Sequence, residues 1–306
     1  MFDSIEGIQA AMEGAKYILE RDTATVLYLS LKLGKPILVE GEAGVGKTEI
    51  AKVLAQILDT RLIRLQCYEG LDSATALYEW NYPKQILWMK QAEICAAPRE
   101  EVGHEIFGPD FLIRRPLLEA IQANSGKPLV LLIDEIDRAD EEFEAFLLEV
   151  LSDFQISIPE IGTIQAQIRP QVILTSNRTR ELHDALKRRC LYHWIDYPSI
   201  EKETRIVLAK VPRAKGTLIH QVCAFMQRVR EKDFFKKPGV AETLDWIQAL
   251  MALGKEELDE ESVRATLGCI FKYHEDLKQM EETGIQSFLG LLPRRDDLTG
   301  ARLTCA

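Results

Sequence analysis

A glycine-rich segment at residues 41–48, GEAGVGKT, has the residue types and spacing of a phosphate-binding loop. It fits the pattern G-x-x-x-x-G-K-[ST], follows a short apolar run and opens a helix-like apolar period. Glycines let the backbone wrap tightly, so that successive N–H groups and the start of the helix surround phosphate oxygens. Lys47 would reach the β- and γ-phosphates, and Thr48 would ligate Mg²⁺. We therefore predict an ATP site formed by Gly41, Glu42, Ala43, Gly44, Val45, Gly46, Lys47, Thr48 and Glu49.

An acidic pair follows the apolar run LVLLI at residues 129–133. Asp134 comes at the end of a predicted buried strand, where a carboxylate can hold Mg²⁺ through water. Glu135 beside it can activate the attacking water, and a base aimed at water favours hydrolysis over transfer to a small molecule. An ordinary strand that ends in a solvated acid pair is the alternative.

Two further polar groups fit the same chemistry. Asn177 ends the strand QVILTSN at 171–177, and the carboxyl ends of parallel strands form such sites, so it can sense a γ-phosphate near Glu135. An asparagine that begins a turn is the alternative. Arg188 and Arg189 lie in ALKRRC, where an arginine could reach the γ-phosphate of a neighbouring subunit. The motif alone favours the alternative, two solvated basic residues without a role in catalysis.

Apolar patterns predict the elements that carry these groups. Strands and helices alternate as far as about residue 200, which is typical of an α/β fold with a mostly parallel sheet; helices alone follow. We predict a nucleotide-binding domain at 1–200, a helical domain at 201–290 and a tail at 291–306. Strands are expected at 36–40, 61–66, 128–134, 171–177 and 192–197, a β-hairpin at 155–168, and helices at 15–33, 47–58, 116–124, 140–153, 217–231 and 260–281.

Composition limits the classes of function. The net charge is −10 and the pI about 5.2, which disfavours general nucleic-acid or acidic-membrane binding but allows a local basic patch. Six scattered cysteines without C-x-x-C spacing indicate reduced thiols. Neither a signal peptide nor an apolar run of membrane-spanning length is visible. We therefore expect a cytoplasmic protein without an integral membrane segment.

Taken together, these motifs resemble a known family. GEAGVGKT, LLIDEIDRAD, ILTSN and ALKRRC, followed by helices, resemble an AAA+ ATPase over residues 15–255. The run DEIDRADEEFEAFLLEVLSD with the hairpin after it resembles the MoxR branch of that family. QCYEGLDSATALYEWNYP and KPGVAETLDW resemble the CoxD-type group, which is linked to maturation of aerobic carbon monoxide dehydrogenase.

The resemblance implies an AAA+ P-loop domain with a five-stranded, mostly parallel sheet, an insertion at about 67–115 and a smaller helical lid. It implies a homo-oligomer, usually a hexamer, with ATP between subunits. It further implies a partner with a von Willebrand A domain and a chaperone-like role for a molybdenum/copper metalloenzyme client.

The resemblance also implies roles for single residues. Asp134 and Glu135 are the Mg²⁺ and water pair, and Asn177 is the sensor. Arg189 aligns best with the arginine that acts across subunits, with Arg188 as the second choice. Lys47 and Thr48 bind nucleotide and Mg²⁺, while Tyr17 and Ile18 fall where relatives line the adenine pocket.

The chain departs from the MoxR pattern in the lid. Many such proteins carry a lid arginine in a Pro-Arg-Ala step, which Val240-Ala241-Glu242 matches here without an arginine. Lys236 or Lys237 could substitute, or lid closure is coupled to ATP in another way. Three other functions stay open: an AAA+ ATPase for another client or in a nucleic-acid-linked complex, a P-loop kinase, which the acid pair and the arginines disfavour, and a binding-only subunit.

An aromatic cluster in the insertion has two interpretations. Tyr78, Trp80 and Tyr82 either pack into the domain or a subunit interface, or they contact a client or partner. The resemblance implies that this region faces the central surface of a ring in the MoxR branch. Under the second interpretation, part of residues 68–83 would contact the client or partner. We interpret Cys67 as a buried thiol and not as a copper ligand.

Overall fold

A computed structural model of the chain describes residues 2–94, 105–124 and 126–289. Part of the predicted insertion and the predicted tail lie outside the described residues. The chain divides into two compact units. The first unit comprises Met1–Ala15, Leu19–Gly41 and Lys47–Trp194, and the second comprises Lys16–Ile18, Glu42–Gly46 and Ile195–Ala306.

The strands of the first unit are β1 (Ile37–Gly41), β2 (Leu62–Gln66), β3 (Tyr78–Trp80), β4 (Leu112–Arg114), β5 (Val130–Asp134), β6 (Gln155–Ile158), β7 (Gly162–Gln165), β8 (Gln171–Ser176) and β9 (Leu191–Ile195). Five of them form a sheet with the order β2-β5-β8-β1-β9. The pairs β2–β5, β5–β8 and β1–β8 are parallel, which confirms the predicted α/β fold class. Two antiparallel pairs, β3–β4 and β6–β7, lie outside this sheet.

Burial explains the central strands. Every residue of β1, β5 and β8 is buried, as expected for strands of a parallel sheet that is covered on both faces. Because these strands are parallel, their carboxyl ends lie at one edge of the sheet. That edge carries Gly41, Asp134 and Ser176 as the last strand residues.

Helices pack around the sheet within the first unit. The second unit is made of helices, and its core includes Trp246 and Phe225, whose ring centroids are 5.1 Å apart. The first unit contains α1 (Ile5–Gly14), α2 (Arg21–Leu33), α3 (Lys47–Ile57), α4 (Ser73–Leu77), α5 (Tyr82–Ile94), α6 (Pro116–Gln122), α7 (Glu141–Asp153) and α8 (Asp184–Arg189). The second contains α9 (Ile200–Lys210), α10 (Gly216–Glu231), α11 (Val240–Ala252), α12 (Glu260–Ile270), α13 (His274–Thr283) and α14 (Ile285–Leu289). No helix in the described ranges is long and apolar enough to cross a membrane.

Two predicted helices were wrong in extent. The helix expected at 15–33 begins only at Arg21, because Lys16 has a left-handed backbone (φ 63°) and ends the preceding helical path. The helix expected at 260–281 is interrupted after Ile270. Phe271 adopts an extended backbone there and stacks on Phe234 with 4.8 Å between ring centroids, so its apolar side chain is buried outside a helix.

Helix α5 was missed by the sequence analysis. Several of its large apolar side chains are exposed, among them Ile86, Leu87 and Trp88. Because a helix is predicted from an apolar stripe on one face, a helix without such a stripe gives no periodic signal.

A buried ion pair lies in the core of the second unit. Arg230 and Glu203 have side chains 3% and 0% exposed, and their Nη1–Oε2 distance is 2.6 Å. A second contact joins Arg230 Nη2 to Glu203 Oε1 at 2.7 Å, so the pair is bidentate. The hydroxyl of Thr243 also donates to Glu203, at 2.6 Å.

We expect Glu203→Ala to lower the free energy of unfolding by about 3–5 kcal/mol, because it leaves Arg230 buried without its countercharge. Urea denaturation followed by circular dichroism measures the change. Arg264→Ala is the control, since this exposed side chain pairs with Glu260 one helical turn away and its loss should cost at most about 0.5 kcal/mol. Equal costs for the two variants would contradict the assignment.

Candidate functional site

The glycine-rich loop has the backbone that its sequence predicts. Gly44 and Gly46 adopt positive φ angles of 76° and 98°, which glycine accepts without a steric penalty. Lys47 at the start of α3 is 7% exposed, and its ammonium group donates to the Gly41 carbonyl at 2.8 Å. A loop in which positive-φ glycines alternate with an ordinary residue can turn successive N–H groups into a concave row that suits an anion.

The Asp134 carboxylate joins four elements of the first unit. It is 2% exposed at the end of β5. Its Oδ1 accepts hydrogen bonds from the hydroxyls of Thr48, at 2.9 Å, and Thr175, at 2.5 Å. Its Oδ2 accepts from Arg64 Nε at 3.0 Å and from Nη2 at 2.5 Å. The carboxylate is therefore fixed in orientation and charge-paired by Arg64.

Glu135 follows in a left-handed backbone conformation (φ 55°). Its N–H donates to the Thr175 hydroxyl at 3.0 Å. Its Oε2 accepts from Gln66 Nε2 at 3.0 Å and lies 2.9 Å from Arg138 Nε. The side chain remains 31% exposed. Two donors thus hold a carboxylate that water can still reach, which suits a general base.

Asn177 lies directly after β8 and is tied to the turn that follows Glu135. Its N–H donates to Asp137 Oδ2 at 3.2 Å, and the N–H and hydroxyl of Thr179 donate to the same oxygen at 2.9 and 2.7 Å. Asp137 is 2% exposed. The buried Asp137 carboxylate therefore fixes the backbone of Asn177 relative to the acid pair.

The two candidate arginines end α8 and are both exposed. Arg189 Nε donates to Ser152 Oγ at 2.6 Å, and its Nη1 donates to the Ala185 carbonyl at 3.2 Å. Arg189 is therefore already engaged by its own chain. This makes Arg188 a stronger candidate for the arginine that acts across subunits than the sequence suggested.

Arg64 and Gln66 were missed as site residues. Both lie in β2, where Gln66 pairs in register with Asp134. That register depends on strands far apart in sequence, so no local motif indicates it. Cys67 follows them and is buried; burial first, and then the neighbouring carboxylates, raise the pKa of its thiol to about 12. The thiol stays protonated near neutral pH, which disfavours metal ligation.

Tyr17, one of the two predicted adenine-pocket residues, lies in the second unit with the loop segment Glu42–Gly46. Its hydroxyl donates to the Gly46 carbonyl at 3.3 Å. Ile18 beside it is 8% exposed. Tyr17 thus contacts the phosphate loop itself.

The aromatic cluster divides between the two interpretations. Trp80 is 9% exposed and packs edge-on against Phe107 and Tyr78, with centroids 5.4 and 6.0 Å apart. Tyr82 is 59% exposed. Tyr78, Trp80 and Tyr82 line a cavity of about 780 Å³ together with Arg115 and other residues. Trp80 therefore has a packing role in this structure, while Tyr82 is accessible.

The chain is similar to several known proteins. Residues 36–190 match the family model described as AAA domain (dynein-related subfamily). Chaperone protein ClpB 1 of Nostoc sp. is 28% identical over 174 residues, or 56% of this chain, and the match spans 17% of that protein's length. An uncharacterized protein of Staphylococcus aureus is 26% identical over 228 residues, 72% of this chain and 77% of that protein. Among solved structures, the Thermotoga maritima RuvB Holliday junction branch migration motor has a TM-score of 0.44 at 16% identity, covering 85% of this chain and 68% of that one.

We expect Arg64→Met to lower the free energy of unfolding by about 1–3 kcal/mol, because the buried Asp134 oxygen loses both of its Arg64 donors. Urea denaturation measures the loss. Arg61→Met is the matched control three residues earlier: its side chain is 69% exposed and pairs with the partly exposed Glu119, so a change within about 0.5 kcal/mol is expected. If both variants are equally stable, the Arg64–Asp134 pair does not support the site.

Proposed function

Since this chain belongs to the AAA domain family, dynein-related subfamily, we propose that it is a ring-forming ATPase that uses ATP hydrolysis to remodel or activate a client protein. Membership of the family confirms the predicted enzyme class, an AAA+ ATP hydrolase. Ring formation, the client and the role of each site residue go beyond the family match and are proposals.

The observation that carries the proposal is the contact between Thr48 and Asp134. The Thr48 hydroxyl lies 2.9 Å from the Asp134 carboxylate. In the sequence, Thr48 directly follows the buried Lys47 and the positive-φ glycines. Oxygen donors of this kind are those that Mg²⁺ prefers. Thr48 and Asp134 would therefore hold Mg²⁺, while Lys47 and the loop N–H groups would hold the phosphates of ATP. When bound, Mg²⁺ neutralises phosphate charge.

Glu135 is the proposed general base. Gln66 and Arg138 hold one of its carboxylate oxygens, and the side chain stays open to water, so it can accept a proton from the attacking water. Asn177, fixed through Asp137, would orient that water or the terminal phosphate. An acid pair arranged in this way favours hydrolysis over a kinase reaction, which needs an acceptor other than water.

We further propose that subunits assemble in a ring, usually a hexamer, with Arg188 or Arg189 acting on the ATP of a neighbour. Both are exposed at the end of α8 and could reach a second copy. Such an arginine neutralises charge that develops during phosphoryl transfer. The second unit would serve as the lid, and whether Lys236 or Lys237 replaces the missing lid arginine stays an open part of this proposal.

The finer assignment is a MoxR-branch protein of the CoxD type. It is supported by the segments 66–83 and 237–246 and by the β6–β7 hairpin that precedes β8. The proposed partners are a von Willebrand A domain protein and a molybdenum/copper metalloenzyme client such as carbon monoxide dehydrogenase, in the cytoplasm. Another client, or a nucleic-acid-linked complex, is the alternative; the net charge of −10 disfavours the latter.

We expect Glu135→Gln to lower the rate of ATP hydrolysis by at least about 100-fold while ATP binding persists, because the amide keeps the shape but cannot accept a proton. Phosphate release and calorimetric ATP titration measure the two effects. Glu141→Gln makes the same chemical change at an exposed position and should leave both unchanged. Wild-type turnover by Glu135→Gln would exclude Glu135 as the base.

For the arginine that acts across subunits, we expect Ala substitution to lower turnover by about 1,000-fold or more. Mixing that variant with Lys47→Ala subunits should restore part of the activity, because intact Lys47 then meets an intact arginine in some interfaces. Arg188→Ala and Arg189→Ala are tested separately. Lys187→Ala is the control, since Lys187 pairs with Glu181 of its own chain. Failure of both mixtures to recover activity argues against action in trans.

A further inference from the structure

The phosphate-loop segment Glu42–Gly46 contacts the start of α11 within the second unit. The N–H groups of Val240 and Ala241 both point at the Gly44 carbonyl, at 3.0 and 3.3 Å. The first N–H groups of a helix have no acceptor inside the helix. The Gly44 carbonyl therefore satisfies two of these donors, and they in turn satisfy a carbonyl of the loop.

Gly239 makes this approach sterically possible. A β-carbon at this position would lie 2.7 Å from the Ala43 oxygen and 2.8 Å from Gly44 Cα and the Gly44 carbonyl carbon. Gly239 has φ −86° and ψ −173°, an extended backbone that any residue can adopt. The glycine is therefore required by the closeness of the loop backbone and not by its own conformation.

Glu242, in the first turn of α11, also lies next to both glycines. Its Oε2 accepts the N–H of Gly239 at 2.9 Å. The same oxygen would lie 3.1 Å from a β-carbon on Gly44. A side chain on Gly44 would therefore meet Glu242 and Gly239, and a side chain on Gly239 would meet the loop backbone.

Buried groups hold the segment 237–243 in place. Arg230 Nε donates to the Pro238 carbonyl at 2.8 Å while its guanidinium stays paired with Glu203. The Thr243 hydroxyl lies 3.2 Å from the Gly239 carbonyl oxygen. Together these contacts fix Pro238 and Gly239 from the core side.

Tyr197 supports the same segment from another direction. Its ring lies under the Arg230 guanidinium, 5.1 Å from centroid to Cζ, and its hydroxyl donates to the Lys237 carbonyl at 3.2 Å. Burial first, and then Glu42, raise the pKa of Tyr197 to about 12, so the phenol remains a donor at physiological pH.

We propose that Gly239 and the first turn of α11 are positioning elements for the nucleotide. They act by holding the Gly44 carbonyl so that it points away from the phosphates. This inference rests on the proposed ATP site. Peptide N–H and C=O groups point in opposite directions, so a loop that turns its N–H groups toward a phosphate must turn carbonyls away from it. Those carbonyls need donors, and α11 supplies them to Gly44.

The contact gives the helical unit a connection to the loop that needs no arginine. Val240-Ala241-Glu242, the step where a lid arginine was expected, uses two backbone N–H groups and one carboxylate instead. A movement of α11 would therefore change the path of the loop backbone, and with it the affinity for ATP.

The steric test is Gly239→Ala, which we expect to raise the Kd for ATP by about tenfold or more, since the added methyl must displace the loop. Isothermal titration of ATP with Mg²⁺ measures the Kd. Gly268→Ala is the matched control: it adds the same methyl to an exposed position in α12 where nothing lies within 4 Å. Its Kd should equal that of the wild type.

The hydrogen-bond test is Val240→Pro, which removes one donor to Gly44. Proline is favoured at the first position of a helix, and the extended Gly239 suits the residue before it. Val240→Ala keeps the N–H while it shortens the side chain, and so controls for lost packing. We expect a weaker affinity for ATP in Val240→Pro than in Val240→Ala, by about tenfold.

Thermal melting without nucleotide shows whether each variant is folded. If one of the two test variants does not fold, the ATP affinity of the other tests the proposal. Folded Gly239→Ala and Val240→Pro proteins that bind ATP with the wild-type Kd would overturn the proposal. A wild-type chain that does not bind ATP would instead overturn the nucleotide assignment on which the proposal rests.

Discussion

The charge of the buried Asp134 carboxylate constrains how four elements of the first unit are arranged. A carboxylate that is 2% exposed must be paired and hydrogen-bonded, because an isolated buried charge costs several kcal/mol. Thr48 from α3, Thr175 from β8 and Arg64 from β2 supply the donors. The mutual placement of one helix and three strands, and thus the geometry of the acid pair, follows from that requirement.

Polar groups of the phosphate loop also need hydrogen-bond partners. There the acceptors are backbone carbonyls and not a carboxylate. Gly41 accepts from the Lys47 ammonium, Gly44 from the first N–H groups of α11, and Gly46 from the Tyr17 hydroxyl. Each donor comes from a different part of the chain. The loop conformation is therefore stabilised by the protein itself, so ATP would meet a site whose backbone is already arranged.

Local patterns predicted much of this structure. The glycine loop, the acid pair and the fully buried strands β5 and β8 are continuous in sequence, so their signals survive without tertiary information. The pairing of Arg64 with Asp134 depends on the β2–β5 register, and the contact of Gly239 with the loop depends on atoms almost 200 residues apart. The break at Phe271 was missed because a buried aromatic residue keeps the apolar period while leaving the helix.

The left-handed backbone of Glu135 has a thermodynamic consequence. An L-residue in this conformation costs roughly 1–2 kcal/mol, a cost that glycine avoids. Variants selected only for heat resistance would therefore tend to gain glycine at position 135, and with it lose the carboxylate that faces water. At this residue stability and chemistry are opposed, so thermostabilising this chain by engineering has to exclude the position from the search.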